Sequence, residues 1–104
     1  MQIQIHSDHN LNGGEALASS VRATVEDALS RFADHITSVQ VHLGDENAGK
    51  SGSNDKRCMM EARLDGRPPI AVTEHAGSLD QAMDGAASKL QRSLDSTIGR
   101  LDAR

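Results

Sequence analysis

The chain has 104 residues, 37% of them apolar and 25% charged, with a formal net charge of −4. That length predicts one domain, and no apolar run approaches the ~20 residues of a membrane-spanning helix. Phe32 is the single aromatic residue and Cys58 the single cysteine, which excludes aromatic base- or sugar-stacking platforms, an internal disulfide and a multi-thiolate metal site.

The first residues, Met1-Gln2-Ile3-Gln4-Ile5-His6, lack the basic start and apolar block of a signal peptide. The expectation is a protein of the reducing cytoplasm. Ile3 and Ile5 alternate with Gln2, Gln4 and His6, the pattern of a half-buried strand. Asn12 followed by Glu15 forms a helix start of the capping-box kind. Leu17, Val21, Val25, Ala28, Leu29 and Phe32 then recur at helical spacing, predicting a first helix over 14–33. Val39, Val41 and Leu43 alternate with Ser38, Gln40 and His42 in a second strand.

Residues 44–55 have no apolar period and three glycines, and read as a flexible loop inside the domain. Residues 57–64 and 68–74 form a hairpin around Asp65-Gly66. A three-residue loop, Leu64-Asp65-Gly66 with Gly66 left-handed, sets Met60 opposite Ile70 and Cys58 opposite Val72, keeping apolar residues on one face. Pro68 and Pro69 cannot donate ladder bonds, so the last strand is expected at a sheet edge. Ser78-Leu79-Asp80-Gln81 is a capping box. Leu79, Met83, Ala86, Leu90, Leu94, Ile98 and Leu101 then step by three or four in a helix running nearly to residue 104.

The fold class that follows is α+β, in the order β-α-β-β-β-α: a four-stranded mixed sheet with two helices packed on one face. The first two strands, joined through a helix, are expected to be parallel with a right-handed crossover, and the others antiparallel. The helices cover the face carrying Ile3, Val39, Val41, Met60 and Val72. The opposite face shows Gln2, Gln4, His6, Gln40, His42, Arg57, Met59, Glu61, Arg63 and Thr73, polar and open. Met59 is its one large apolar group, and weak self-association through this face is one use of it.

The charge is uneven. Residues 1–43 hold two bases against five acids, residues 44–67 five of each, and residues 78–104 four of each. An acidic chain argues against non-specific nucleic-acid binding, which runs on phosphate neutralisation, but leaves room for a local basic patch. Lys56 and Arg57 with Lys89 and Arg92 could neutralise four phosphates, for a salt slope of order −3. No catalytic-triad order, Walker-type loop or His-Glu-x-x-His word is present, so no enzyme and no cofactor are expected. His6, Asp8 and His9 lie close together, with His42 beside His6 across the parallel strands. They match no ligand spacing, and a polar sheet face is preferred to a metal site. Cys58 falls on the core-facing phase of its strand and reads as a buried structural thiol.

The order of elements and several local words resemble the ribosome hibernation-promoting factors, also called the ribosome-associated inhibitor or sigma-54 modulation family. The words are Asp55-Lys56-Arg57-Cys58 through Leu64, Gly66-Arg67-Pro68-Pro69, Leu79-Asp80-Gln81-Ala82-Met83-Asp84 and Ala87-Ser88-Lys89-Leu90-Gln91-Arg92. Arg31-Phe32 with Ile36 and Val39-Gln40-Val41 add to them. The resemblance covers nearly the whole chain and implies a layer similar to double-stranded RNA-binding domains. It implies the family's short form, without the ribosome-pairing domain of long members. It also implies a non-catalytic factor that occupies the mRNA and tRNA channel of the small ribosomal subunit and inhibits translation in stress or stationary phase. Its rRNA-contacting residues would be Lys56, Arg57, Arg63, Lys89 and Arg92. Three departures stand out: Asp95 and Ser96 replace the Lys or Arg of typical members, the motif tyrosine is absent, and the first helix is acidic. The alternative is a protein–protein regulatory module on the same scaffold, acting through the open sheet face.

Overall fold

A computed structural model describes residues 1–7, 14–45 and 56–102. The elements are β1 (Gln2–Ser7), α1 (Gly14–Leu29), a 3₁₀ helix (Ser30–His35), β2 (Ile36–Asp45), β3 (Lys56–Leu64), β4 (Arg67–Ala76) and α2 (Leu79–Asp102). This is the α+β order expected. The sheet runs β1-β2-β3-β4, with β1 parallel to β2 and the other two pairs antiparallel. β4, with Pro68 and Pro69, is an edge, where a missing N–H costs no ladder bond. The Asn12 cap and residues 46–55 of the expected loop lie outside the described residues.

The core is the helix-facing side of the sheet. Val21, Val25 and Leu29 of α1, Val39 and Val41 of β2, Met60 and Ala62 of β3, and Ala86, Leu90 and Leu94 of α2 are all 0% exposed. They come from elements distant in sequence, so each amphipathic stripe is buried only when the layers assemble. Ile3, Ile5, Ile70 and Val72, on the two edge strands, are partly buried against this cluster. At the start of α2 the Gln81 N–H donates to Ser78 Oγ (3.2 Å) and the Ala82 N–H to the Ser78 carbonyl (3.0 Å), so Ser78 caps the helix as its sequence context predicts.

Three local expectations are corrected. The first helix does not run to residue 33 as one α-helix. It ends at Leu29 and tightens into the 3₁₀ turn, which tucks Phe32 (5% exposed) under the sheet's end. Gly44 and Asp45, expected in the loop, are the last residues of β2 and pair with Arg57 and Lys56. The hairpin register also differs. Leu64 lies opposite Arg67 across a two-residue Asp65-Gly66 turn, yet Ala62 lies opposite Ile70, Met60 opposite Val72 and Cys58 opposite Glu74. The shift between Ala62 and Leu64 sets Arg63 against both Pro68 and Pro69, a bulge where β4 lacks two consecutive donors. Gly66 is left-handed as expected, with φ of +72°. The displacement from the expected pairing is two residues, an even number, so every side chain keeps its predicted face.

Candidate nucleic-acid interface

The five candidate bases stand on two elements, β3 and α2. Lys56 and Arg57 open β3. Alternation sends Lys56 to the helix side of the sheet and Arg57 to the open side. Lys56 Nζ meets Asp45 Oδ2 at 3.2 Å, across its own cross-strand pair, and both side chains are largely enclosed. Arg57 is half-buried in the cross-strand row Gly44–Arg57–His75. Arg63 is exposed near the other end of β3, with Nε 3.7 Å from Glu61 Oε1. Six residues of strand separate it from Arg57, about 20 Å at ~3.3 Å per residue.

On α2, Lys89 and Arg92 are exposed and, three residues apart, share one side of the helix. Lys89 reaches the edge strand: Nζ donates to the Thr73 carbonyl (2.9 Å) and pairs with Glu74 Oε1 (2.7 Å). Arg92 has no ion pair among the described residues. One turn on, Asp95 pairs with Arg31 of the 3₁₀ helix at 2.6 Å, and the Arg31 guanidinium lies 4.8 Å above the Phe32 ring. Asp95 thus answers a base on the neighbouring element. Gln91 Nε2 bonds the Ala28 carbonyl (3.1 Å), tying α2 to α1.

The five bases thus do not share one surface: Lys89 and Arg92 lie on α2, Lys56 is on the helix-facing phase of β3, and Arg57 and Arg63 are on the open face, toward opposite ends of β3. The groove between α1 and α2 is lined by Asp27 and Asp84 with Ala23, Thr24, Ala87 and Ser88. Its carboxylates would repel phosphate. The sequence reading missed Glu74 and Asp45, and placed Glu61 and Thr73 on the open face without the contacts they make to Arg63 and Lys89. A signal for Glu74 was present: it falls on the same strand phase as Ile70 and Val72, an acid on the helix-facing side.

On the open face, His6 and His42 lie in direct cross-strand register, their rings stacked at 4.6 Å and 14°, as the parallel alternation implied. Met59 and Thr73 complete that row. No group of three or more metal-ligating side chains occurs among the described residues; Asp8 and His9 lie outside them.

Cys58 is 0% exposed, and burial pushes its thiol from 9.0 up to about 12. It is no nucleophile at neutral pH. Iodoacetamide at pH 8 is expected to leave it unlabelled in the native protein and to label it in denaturant. The native thiol keeps its proton where the unfolded thiol loses its own, so Cys58 costs no stability below about pH 9. Above that, stability falls as pH rises toward about 12. Rapid native labelling would mean that the β2–β3–α2 core opens readily.

Among the described residues no helix is long and apolar enough to cross a membrane. The family model described as sigma 54 modulation protein / S30EA ribosomal protein matches residues 3–102. No curated protein matches the chain significantly. Among solved structures it is similar to the N-terminal domain of Protein Y from Thermus thermophilus, with 24% identity, 93% of this chain and 99% of that one covered, and a TM-score of 0.74. It is also similar to a ribosomal subunit interface protein from Coxiella burnetii, with 19% identity, 95% and 99% coverage, and a TM-score of 0.70. At these identities the structural likeness speaks for the fold.

Proposed function

We propose, from the premise that this chain belongs to the sigma 54 modulation protein / S30EA ribosomal protein family, that it is a non-catalytic ribosome-binding factor of the cytoplasm. In this reading it occupies the mRNA and tRNA channel of the small subunit and holds translation off. The observation that carries it is the family match across residues 3–102, which spans both helices and all four strands.

The mechanism asks for no bond to be made or broken. The folded layer excludes mRNA and tRNA by its volume. Lys89 and Arg92, exposed along α2, donate charge-assisted hydrogen bonds to rRNA phosphates. Arg57 and Lys56 support them from the start of β3, and Arg63 makes a separate contact at the far end of the open face.

The counter-ions refine the expected strength. Lys56, Arg63 and Lys89 each face a carboxylate, so each gives less net charge to a phosphate than a lone base would. Co-sedimentation with purified small subunits across a salt series tests the reading. Binding that weakens with salt is expected, with a slope shallower than the −3 or so of four unpaired contacts, about −1 to −2. No binding even at low salt would overturn it and leave a protein ligand of the open sheet face as the alternative.

A further inference from the structure

Lys89 is held differently from an ordinary surface base. Two of the three donors of its ammonium group are engaged within the protein, one by the Thr73 carbonyl at 2.9 Å and one by Glu74 Oε1 at 2.7 Å. Glu74 is itself seated. It occupies the helix-facing phase of β4, its side chain 30% exposed, and its carboxyl arm lies over α2 at Gly85. A Cβ on Gly85 would stand 2.6 Å from Glu74 Cγ and 2.7 Å from Oε2. The carboxylate fits because residue 85 has no side chain. An exposed ion pair with free rotamers contributes little; this one has a carbonyl, a helix backbone and a glycine notch to define it.

We infer that Glu74 is an affinity-limiting latch on Lys89, set by the Gly85 notch, which keeps the most ordered base of the α2 rim close to electrically neutral toward a polyanion. The inference rests on the ribosome-binding reading above. Phosphate binding gains affinity from the counterions released as protein charge neutralises the nucleic acid. A lysine that carries its own carboxylate releases fewer, and the carboxylate repels the incoming phosphate. Lys89 then supplies direction through its third donor and little long-range attraction, and the rim's unopposed charge falls to Arg92.

Two substitutions release the latch by different routes. Glu74→Gln removes the charge and keeps the shape. Gly85→Ala keeps the charge and displaces the arm; alanine also favours helix over glycine, and the colliding atoms belong to a side chain that can swing outward. Small-subunit affinity is measured across a salt series for the wild type, both variants, Lys89→Gln and Glu74→Gln/Lys89→Gln. Each release variant is expected to bind about threefold to tenfold more tightly at low salt. Glu74→Gln should also steepen the salt slope by about 0.7–0.9, the worth of one newly available charge. Lys89→Gln should cost more in the Glu74→Gln background than in the wild type. Weaker or unchanged binding by Glu74→Gln, with the wild type binding normally, would overturn the latch and make Glu74 a strut that aims Lys89. If neither the wild type nor the variants bind at any salt, the ribosome-binding reading fails, and the latch with it.

Discussion

Lys89→Glu combined with Arg92→Glu is expected to lower small-subunit affinity at least 100-fold near 0.1 M salt. The phosphate contact of Arg92 is worth about 1.5–3 kcal/mol, and with the repulsion from two reversed charges the loss reaches about 3 kcal/mol, which exceeds 100-fold. At position 89 most of the effect is repulsion, since the new carboxylate would stand beside Glu74, which now meets Lys89 at 2.7 Å. At position 92 most of it is lost attraction, because Arg92 has no ion pair among the described residues. The neutral pair Lys89→Gln/Arg92→Gln should therefore lose less, and the loss should come mainly from Arg92. Because a glutamate at 89 crowds Glu74, a thermal melt of each variant must accompany the sedimentation. A folded double reversal that still binds with wild-type affinity would remove the α2 rim from the interface.

Leu90→Ala carries the largest expected effect on stability, about 3 kcal/mol. Leu90 is 0% exposed on the α2 stripe, with Ala86 and Leu94, also 0% exposed, on either side of it. Truncation loses the transfer energy of its buried carbons and leaves a cavity that the sheet can fill only in part, for which 2–5 kcal/mol is usual. The core contains one aromatic side chain, Phe32, and it packs at the 3₁₀ turn, so the layer depends on leucine, valine and methionine to fill its volume. In a domain near 100 residues, about 3 kcal/mol lowers Tm by about 12 °C or more. Denaturant unfolding should show a lower midpoint with an unchanged slope. Arg92→Ala, two residues on and about half a turn round on the exposed side, should stay within about 0.5 kcal/mol of the wild type. A Leu90→Ala protein as stable as that control would mean that α2 is not seated on the sheet.

The two substitutions separate the roles of one helix. Leu90 and Leu94 attach α2 to the sheet, and this attachment gives Lys89 and Arg92 their positions at its rim. Gln91, bonded to the Ala28 carbonyl at 3.1 Å, fastens the same helix to α1. The proposed binding residues and the core are thus on different sides of a single 3.6-residue period.

The sequence by itself determined whatever depends on local periodicity. Alternation at Ile3/Ile5, Val39/Val41/Leu43 and Cys58/Met60/Ala62 assigned each side chain to a face, because the pleat has a period of two in any register. The helical stripe from Leu79 to Ile98 and the Ser78 cap marked α2, and the His6–His42 neighbourhood followed from strand alternation and parallel pairing. Tertiary structure decided what depends on a partner distant in the chain. The hairpin register was one such case: a two-residue turn and a bulge opposite Pro68-Pro69 displace the pairing by two residues, and face alternation cannot detect an even displacement. The electrostatic state of the candidate interface was another. Lys56 and Lys89 read as bases along the sequence, but strand pairing sets Asp45 opposite Lys56 and the docking of α2 on β4 sets Glu74 beside Lys89, whereas Glu61, two residues from Arg63 on the same strand face, follows from alternation alone. A charge can be counted from one residue, whereas its field at a ligand depends on which opposite charge the fold holds within a few ångströms.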